Sequence, residues 1–195
     1  MDRSHLDIDD ECGATARIDG VNAMFTVELE RTITAPIGEV FDWLTDITNY
    51  SVVLIVRRVN LIRPGDVHSA GAGAGAVREV RTRLLTLTER IIEYRRPTLL
   101  RYRIIRSRPR LRHEDGYLAF DQTPAGTRVR WHTRFEVASP LGSGPLTAAM
   151  GLVIATGFHI VLRTAADELG RLPAHPGPDH DQYRQRSRPA PWDPS

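Results

Sequence analysis

The sequence predicts an α+β domain in which one curved antiparallel sheet covers its dry face with a single long C-terminal helix. Three observations lead there. Apolar and polar residues alternate in successive runs from Val77 to Val137, the period of strands with one wet face. A short strand and a short helix precede them. After them comes one apolar helical stretch, and no other segment is large enough to cover the sheet. A chain of 195 residues, 41% hydrophobic and 26% charged, suits one domain with a real core. That composition excludes a wholly disordered, collagen-like or multi-span membrane chain.

Phe25, Val27, Leu29 and Ile33 recur at period two and open the domain as a strand. Pro36 stands where a first helical residue belongs, with Glu39 in the first turn near the positive end of the helix dipole. Val40, Phe41, Trp43, Leu44 and Ile47 follow at helical spacing, so a short helix runs to about Asp46. Val52 to Ile62 is apolar and β-branched, and Pro64-Gly65-Asp66 turns the chain. Then Val80, Thr82 and Leu84 oppose Glu79, Arg81 and Arg83, and Leu100, Tyr102 and Ile104 oppose Arg101 and Arg103. Leu118 and Phe120 come next. Val129, Trp131, Thr133, Phe135 and Val137 oppose Arg128, Arg130, His132, Arg134 and Glu136. Turns at Arg96-Pro97, Ser107-Arg108-Pro109 and Pro124-Ala125-Gly126 separate these runs into an antiparallel meander. From about Pro145 to Leu172 the pattern is helical, apolar almost all round between Leu146 and Leu162. With Thr147, Thr156 and His159 inside it, this stretch reads as a buried helix rather than a bilayer span of ~20 residues. Residues 1–23, acidic and without period, read as a mobile arm. Residues 173–195, dense in proline, read as a disordered tail. The domain is 24–172.

Two stretches carry a family resemblance. Ile33-Thr34-Ala35-Pro36 with Val40, Phe41, Leu44 and Asp46 resembles the opening strand and first helix of the START-like (SRPBCC) superfamily of polyketide cyclases and lipid-transport proteins. Gly126-Thr127-Arg128-Val129-Arg130-Trp131 resembles its last strand, and Glu93-Tyr94-Arg95-Arg96-Pro97 its proline corner. The chain departs from the family at Tyr50 to Ile55, where members often carry a Trp and a Pro in a short second helix. The resemblance implies the helix-grip fold and one deep pocket for a hydrophobic ligand between sheet and C-terminal helix. Members include lipid and quinone carriers, hormone receptors and aromatic polyketide cyclases, and fold alone does not choose among them.

Several chemical signals fail on context. Gly71 to Ala76 fits a dinucleotide-binding spacing, but the residues after it alternate as a strand, not a helix, so it reads as a flexible hairpin loop. All 26 basic residues are arginine, and twelve of them crowd Arg78 to Arg112 against Glu79, Glu89 and Glu93. No aromatic pair accompanies them for base stacking, so this reads as a solvated face and no nucleic-acid partner is expected. Peripheral docking on an anionic membrane suits a basic face beside a lipid pocket. His175, Asp179, His180 and Asp181 lie in the tail without fixed geometry, and no metal-binding spacing occurs, so neither metal nor cofactor is expected. A single cysteine, Cys12, excludes an internal disulfide. The acidic, unapolar N-terminus predicts a cytoplasmic protein.

The expected ligand-binding residues are Phe41, Tyr102, Ile104, Glu114, Leu118, Phe120, Trp131, Thr133, Phe135, Met150, Val153 and Gly157. Glu114 shares parity with Leu118 and Phe120, and Arg31 with Val27, Leu29 and Ile33. If both face inward they orient a ligand's polar end, with Glu114 as an acid or base; a bulge near a strand end turns either outward. The function expected is binding, and with it transport, of a hydrophobic or amphipathic small molecule. The enzymatic alternative is a cyclase/dehydratase using the same pocket, with Tyr102, Glu114 and Arg31 as its candidates. Apolar residues on the far side of the last helix predict a second contact: the N-terminal arm, a partner in a homodimer, or a membrane.

Overall fold

A computed structural model describes residues 12–19, 24–66, 73–138 and 144–171. The strands are β1 (Cys12–Asp19), β2 (Met24–Ile33), β3 (Val56–Arg63), β4 (Val77–Thr82), β5 (Thr86–Arg95), β6 (Leu99–Arg108), β7 (Leu111–Thr123) and β8 (Gly126–Val137). The helices are α1 (Ile37–Thr45) and α2 (Gly144–Arg171), with a 3-10 helix at Ile47–Val52. The eight strands form one antiparallel sheet in the order β1-β2-β8-β7-β6-β5-β4-β3. The meander β3 to β8 is sequential. β2 joins its far end beside β8, so α1 and the 3-10 helix carry the chain from one end of the sheet to the other.

The start of α1 is set from outside the helix. Pro36 is its N-cap and supplies no side-chain bond. The first free amide, Ile37 N–H, donates instead to Gln122 Oε1 on β7 at 3.1 Å, which meets the need of an unpaired helix donor. Asp46 ends α1 and caps the following 3-10 helix by accepting from Thr48 N–H. Over Tyr50 to Ile55 the chain completes this 3-10 helix and turns into β3. Phe41 of α1 sits edge-on to Phe120 at 5.0 Å and to Tyr94 at 5.1 Å, pinning α1 to one end of the sheet.

α2 is long and apolar enough to cross a bilayer by composition. Here it is the core helix of the sheet. Its buried stripe of Thr147, Gly151, Ile154, Val161, Leu162, Ala165 and Leu169 packs chiefly on β2, with contacts to β8, β1 and α1. The helix spans the expected segment. The N-terminal region differs from the expected mobile arm, because Cys12–Asp19 is a full edge strand in register with β2. It also touches α2, so the arm is one of the second contacts the helix was expected to make. Residues 1–11, the first half of the Gly/Ala loop and the proline-rich tail lie outside the described residues.

The outer face carries cross-strand ion pairs: Arg101–Asp115, Arg130–Asp121, Arg134–Glu114 and Arg112–Glu136. Pairs this exposed contribute little stability each.

Candidate functional site

Because α2 packs on the β2–β8 side, it stands off the other half of the sheet, and the gap is a cavity. Its inner chamber holds about 100 Å³, walled by Val80, Leu87, Tyr102, Ile104 and Trp131 from the strands and by Val153, Ile154, Phe158 and Val161 from the helix. An outer vestibule of about 550 Å³ shares Ile55, Thr82, Val153 and Gly157 with it, and opens between the 3-10 corner, the β4–β5 turn and α2. Trp131 and Phe158 stack at 3.9 Å with only 10° between their planes, closing the chamber between sheet and helix.

The chamber is apolar except for Glu89, Tyr102, Thr133, Thr82 and Tyr50. Glu89 is held from behind. Arg78 Nε donates to Glu89 Oε2 at 2.9 Å, and Arg78 Nη1 reaches Thr45 O at 3.4 Å. The two residues are direct cross-strand partners on β4 and β5, and Arg78 is only 4% exposed. Burial on its own would lower the Arg78 pKa; the adjoining Glu89 carboxylate more than offsets this and raises it. Burial pushes the Tyr50 phenol up to about 12, so it stays protonated and donates to Leu44 O at 3.0 Å.

Tyr102 is the most connected of these groups. Its ring lies over Gly116, its partner on β7, at a point where any Cβ would collide with it. A glycine inside a strand serves this kind of close approach. Trp131 Nε1–H donates to Tyr102 Oη at 3.1 Å. Burial raises the Tyr102 pKa well above that of a free phenol, with the nearby Glu89 charge adding to it. His113 stacks on the Tyr102 ring at 5.7 Å. It accepts from Ile104 N–H at Nδ1 (3.2 Å) and lies 3.0 Å from Thr133 Oγ1 through Nε2. Burial lowers the His113 pKa from 6.5 to about 4, so the ring is neutral at pH 7.

The expected ligand residues divide three ways. Tyr102, Ile104, Trp131, Thr133, Val153 and Gly157 line the cavity. Phe41, Leu118, Phe120 and Phe135 are core side chains under α1 and α2, and Met150 packs at the core's edge; none of these five is a wall of the chamber or vestibule. Glu114 lies outside. It is the extra residue of a bulge between His113 and Asp115, with its side chain 57% exposed and paired to Arg134 Nη1 at 3.2 Å. The bulge reverses parity, so Glu114 turns to solvent and His113 turns in. Arg31 is half-buried on the inner face, with Nε lacking a hydrogen-bond partner among the described residues, but it does not line the cavity. The polar groups missed were Glu89, Arg78 and His113. Among the described residues no three His, Cys, Asp or Glu side chains converge as metal ligands would.

Residues 24–172 match the family described as polyketide cyclase / dehydrase and lipid transport. The chain belongs to this family. Solved structures share its helix-grip fold. The Zhui aromatase/cyclase from a Streptomyces species is 18% identical, with a TM-score of 0.64 over 76% of this chain and 94% of that one. The TTHA0849 protein from Thermus thermophilus is 16% identical, with a TM-score of 0.61 over 74% and 96%. The di-domain aromatase/cyclase BexL is 19% identical, with a TM-score of 0.61 over 77% of this chain and 51% of that one. At such identities the likeness is one of fold. Curated protein sequences give no match.

Proposed function

We propose that this family member binds a hydrophobic or amphipathic small molecule in the cavity between α2 and strands β3–β6 and β8. The observation that carries this reading is a mainly apolar cavity with a few buried polar groups. A wide vestibule leads to a smaller apolar chamber in whose wall Glu89, Tyr102 and Thr133 are buried. Apolar burial at ~25 cal/mol per Å² supplies affinity, and the polar groups set orientation. The rim suits delivery from a surface. Leu54, Leu84 and Leu152, from three separate elements, stand 93%, 65% and 64% exposed around the vestibule beside Arg57 and Arg83. Apolar side chains flanked by guanidinium groups fit a peripheral contact with anionic lipid.

A second reading, cyclisation and dehydration of a poly-β-ketone chain in the same cavity, is favoured by Glu89 standing with Tyr102 in the chamber wall. A carboxylate takes the acidic proton between two carbonyls while a phenol donates to the carbonyl that becomes the aldol hydroxyl. Glu89 fills the part expected of Glu114. Two of the structural relatives are aromatase/cyclases by name.

Native mass spectrometry of protein purified without detergent, followed by solvent extraction, tests the binding reading. A stoichiometric hydrophobic ligand, absent from the cavity-filling variant Gly157→Leu, supports it. Empty protein that takes up 2-ethylnaphthalene moves the weight to the transient substrate of a cyclase. Empty protein that takes up nothing sinks both readings.

A further inference from the structure

The hydrogen bonds around Tyr102 have a direction. A backbone amide only donates, so the His113 Nδ1 that receives Ile104 N–H is an acceptor. A neutral ring then carries its one proton on Nε2, which donates to Thr133 Oγ1. Trp131 Nε1–H donates to Tyr102 Oη, and the Thr133 hydroxyl, whose oxygen already accepts from His113, has its own proton to offer the same phenol. With its oxygen accepting, the Tyr102 proton is left to point into the chamber it lines.

We propose that Tyr102 is the anchoring donor of the cavity and that it takes an uncharged carbonyl oxygen of the ligand, that of a ketone, quinone or ester. His113 is its positioning residue: it touches no ligand, and through Thr133 it fixes which way the phenol proton points. The proposal rests on the binding reading above and narrows it. A hydrocarbon end would leave the Tyr102 O–H buried without a partner, which costs more than a made bond returns. A carboxylate end would meet the Glu89 carboxylate in the same chamber, and like charges in a low-dielectric site repel strongly. A neutral carbonyl satisfies the donor and avoids the charge. This asymmetry makes the site a selector of head-group chemistry on apolar molecules of similar shape.

The test uses the full chain and three probes on one ring system: 2-acetylnaphthalene, 2-ethylnaphthalene and 2-naphthoic acid. Calorimetry of Tyr102→Phe, which removes one oxygen and keeps the ring, should show the ketone bound about tenfold more weakly, as loss of a buried hydrogen bond implies. The hydrocarbon should bind the variant several-fold more tightly, because the hydroxyl it would leave unpartnered is gone. In the wild type the acid should bind at least about tenfold more weakly than the ketone. The infrared carbonyl band of bound 2-acetylnaphthalene should lie lower in the wild type than in Tyr102→Phe. His113→Leu should move it part of the way up, and His113→Gln, which keeps an acceptor and a donor, should restore it; a merely structural role for His113 would leave the band in place. Ketone and hydrocarbon binding with no response to Tyr102→Phe overturns the anchoring proposal while the cavity stands. If neither naphthalene binds the wild type, the cavity reading falls and the proposal with it.

Discussion

Acidification should destabilise this protein through His113, and the amount follows from its surroundings. The imidazole titrates near 6.5 when solvated and at about 4 in the fold, because burial disfavours the cation, as do the nearby Arg103 and His132, against a smaller opposing pull from Asp115. Above pH 6.5 the ring is neutral folded and unfolded, and stability is at its full value. Between pH 6.5 and 4 the unfolded chain takes up a proton that the folded chain refuses, so stability falls with pH; below 4 both states are protonated and the loss is complete. At 1.36 kcal/mol per pKa unit the whole effect is about 3 kcal/mol, of which about 2 kcal/mol is gone by pH 5. The ring keeps some contact with solvent, which makes these upper values. The bond that breaks is visible: a proton on Nδ1 removes the acceptor of Ile104 N–H. Urea unfolding of wild type and His113→Gln at pH 7.5, 6 and 5 isolates the term, since all other groups titrate in both proteins. The variant's stability should be flatter by about 2 kcal/mol between pH 7.5 and 5. Parallel pH profiles, or an imidazole proton signal that titrates near 6.5 in the folded state, would refute the assignment of His113 as a buried neutral acceptor.

Arg78→Met should cost about 3–5 kcal/mol in urea unfolding, because it strands the Glu89 carboxylate in the interior, and the double variant Arg78→Met/Glu89→Leu should recover most of that. A single-variant loss below about 1 kcal/mol would mean that water reaches the pair. Gly116→Ala places a methyl against the Tyr102 ring and should cost about 1–3 kcal/mol. It should also weaken 2-acetylnaphthalene binding more than 2-ethylnaphthalene binding; an equal effect on both would show the ring moving without its hydroxyl. Gly157→Ala meets only Ile55 Cδ1 at 3.5 Å, an ordinary contact, so helix propensity should dominate with a gain of about 1 kcal/mol. A lower melting temperature would show α2 packed more tightly on Ile55.

Strands and helices whose own residues carry a period were legible: the alternation of β2 and β8, the helical spacing of α1, and the apolar run of α2. β1 was not, because Cys12 to Asp19 has no row of large apolar side chains. It is a strand through its pairing with the edge of β2, which is a tertiary cause rather than a local propensity. The polar groups of the cavity show the same limit more sharply. Arg78 shares parity with Val80 and Thr82, and Glu89 with Leu85, Leu87 and Ile91, so each sits on the apolar side of its own strand. Read as one run of arginines they suggest a wet face. Read as facing strands they are a cross-strand pair, and a pair is what makes burial of both charges tolerable. The same parity logic applied to Arg31 and Glu114 chose a different pair, and one inserted residue in β7 undid it.

Two of the four glycines of α2, Gly151 and Gly157, explain why the cavity lies where it does. Both lie in the apolar stretch. At Gly151 the Phe25 ring of β2 occupies the space a Cβ would need, and this draws the first half of α2 onto the β2 side of the sheet. Gly157, between one and two turns on, faces the other way, across the neck of the cavity toward Ile55. Adding bulk at the two sites therefore has opposite consequences. At Gly151 a side chain pushes the helix off β2, loosens the core and loses stability first. At Gly157 a large one fills the neck, leaves the sheet contact intact and loses ligand first. Gly151→Val that binds 2-ethylnaphthalene normally at unchanged stability would break this division, because it would mean that α2 is not held by its contact with Phe25.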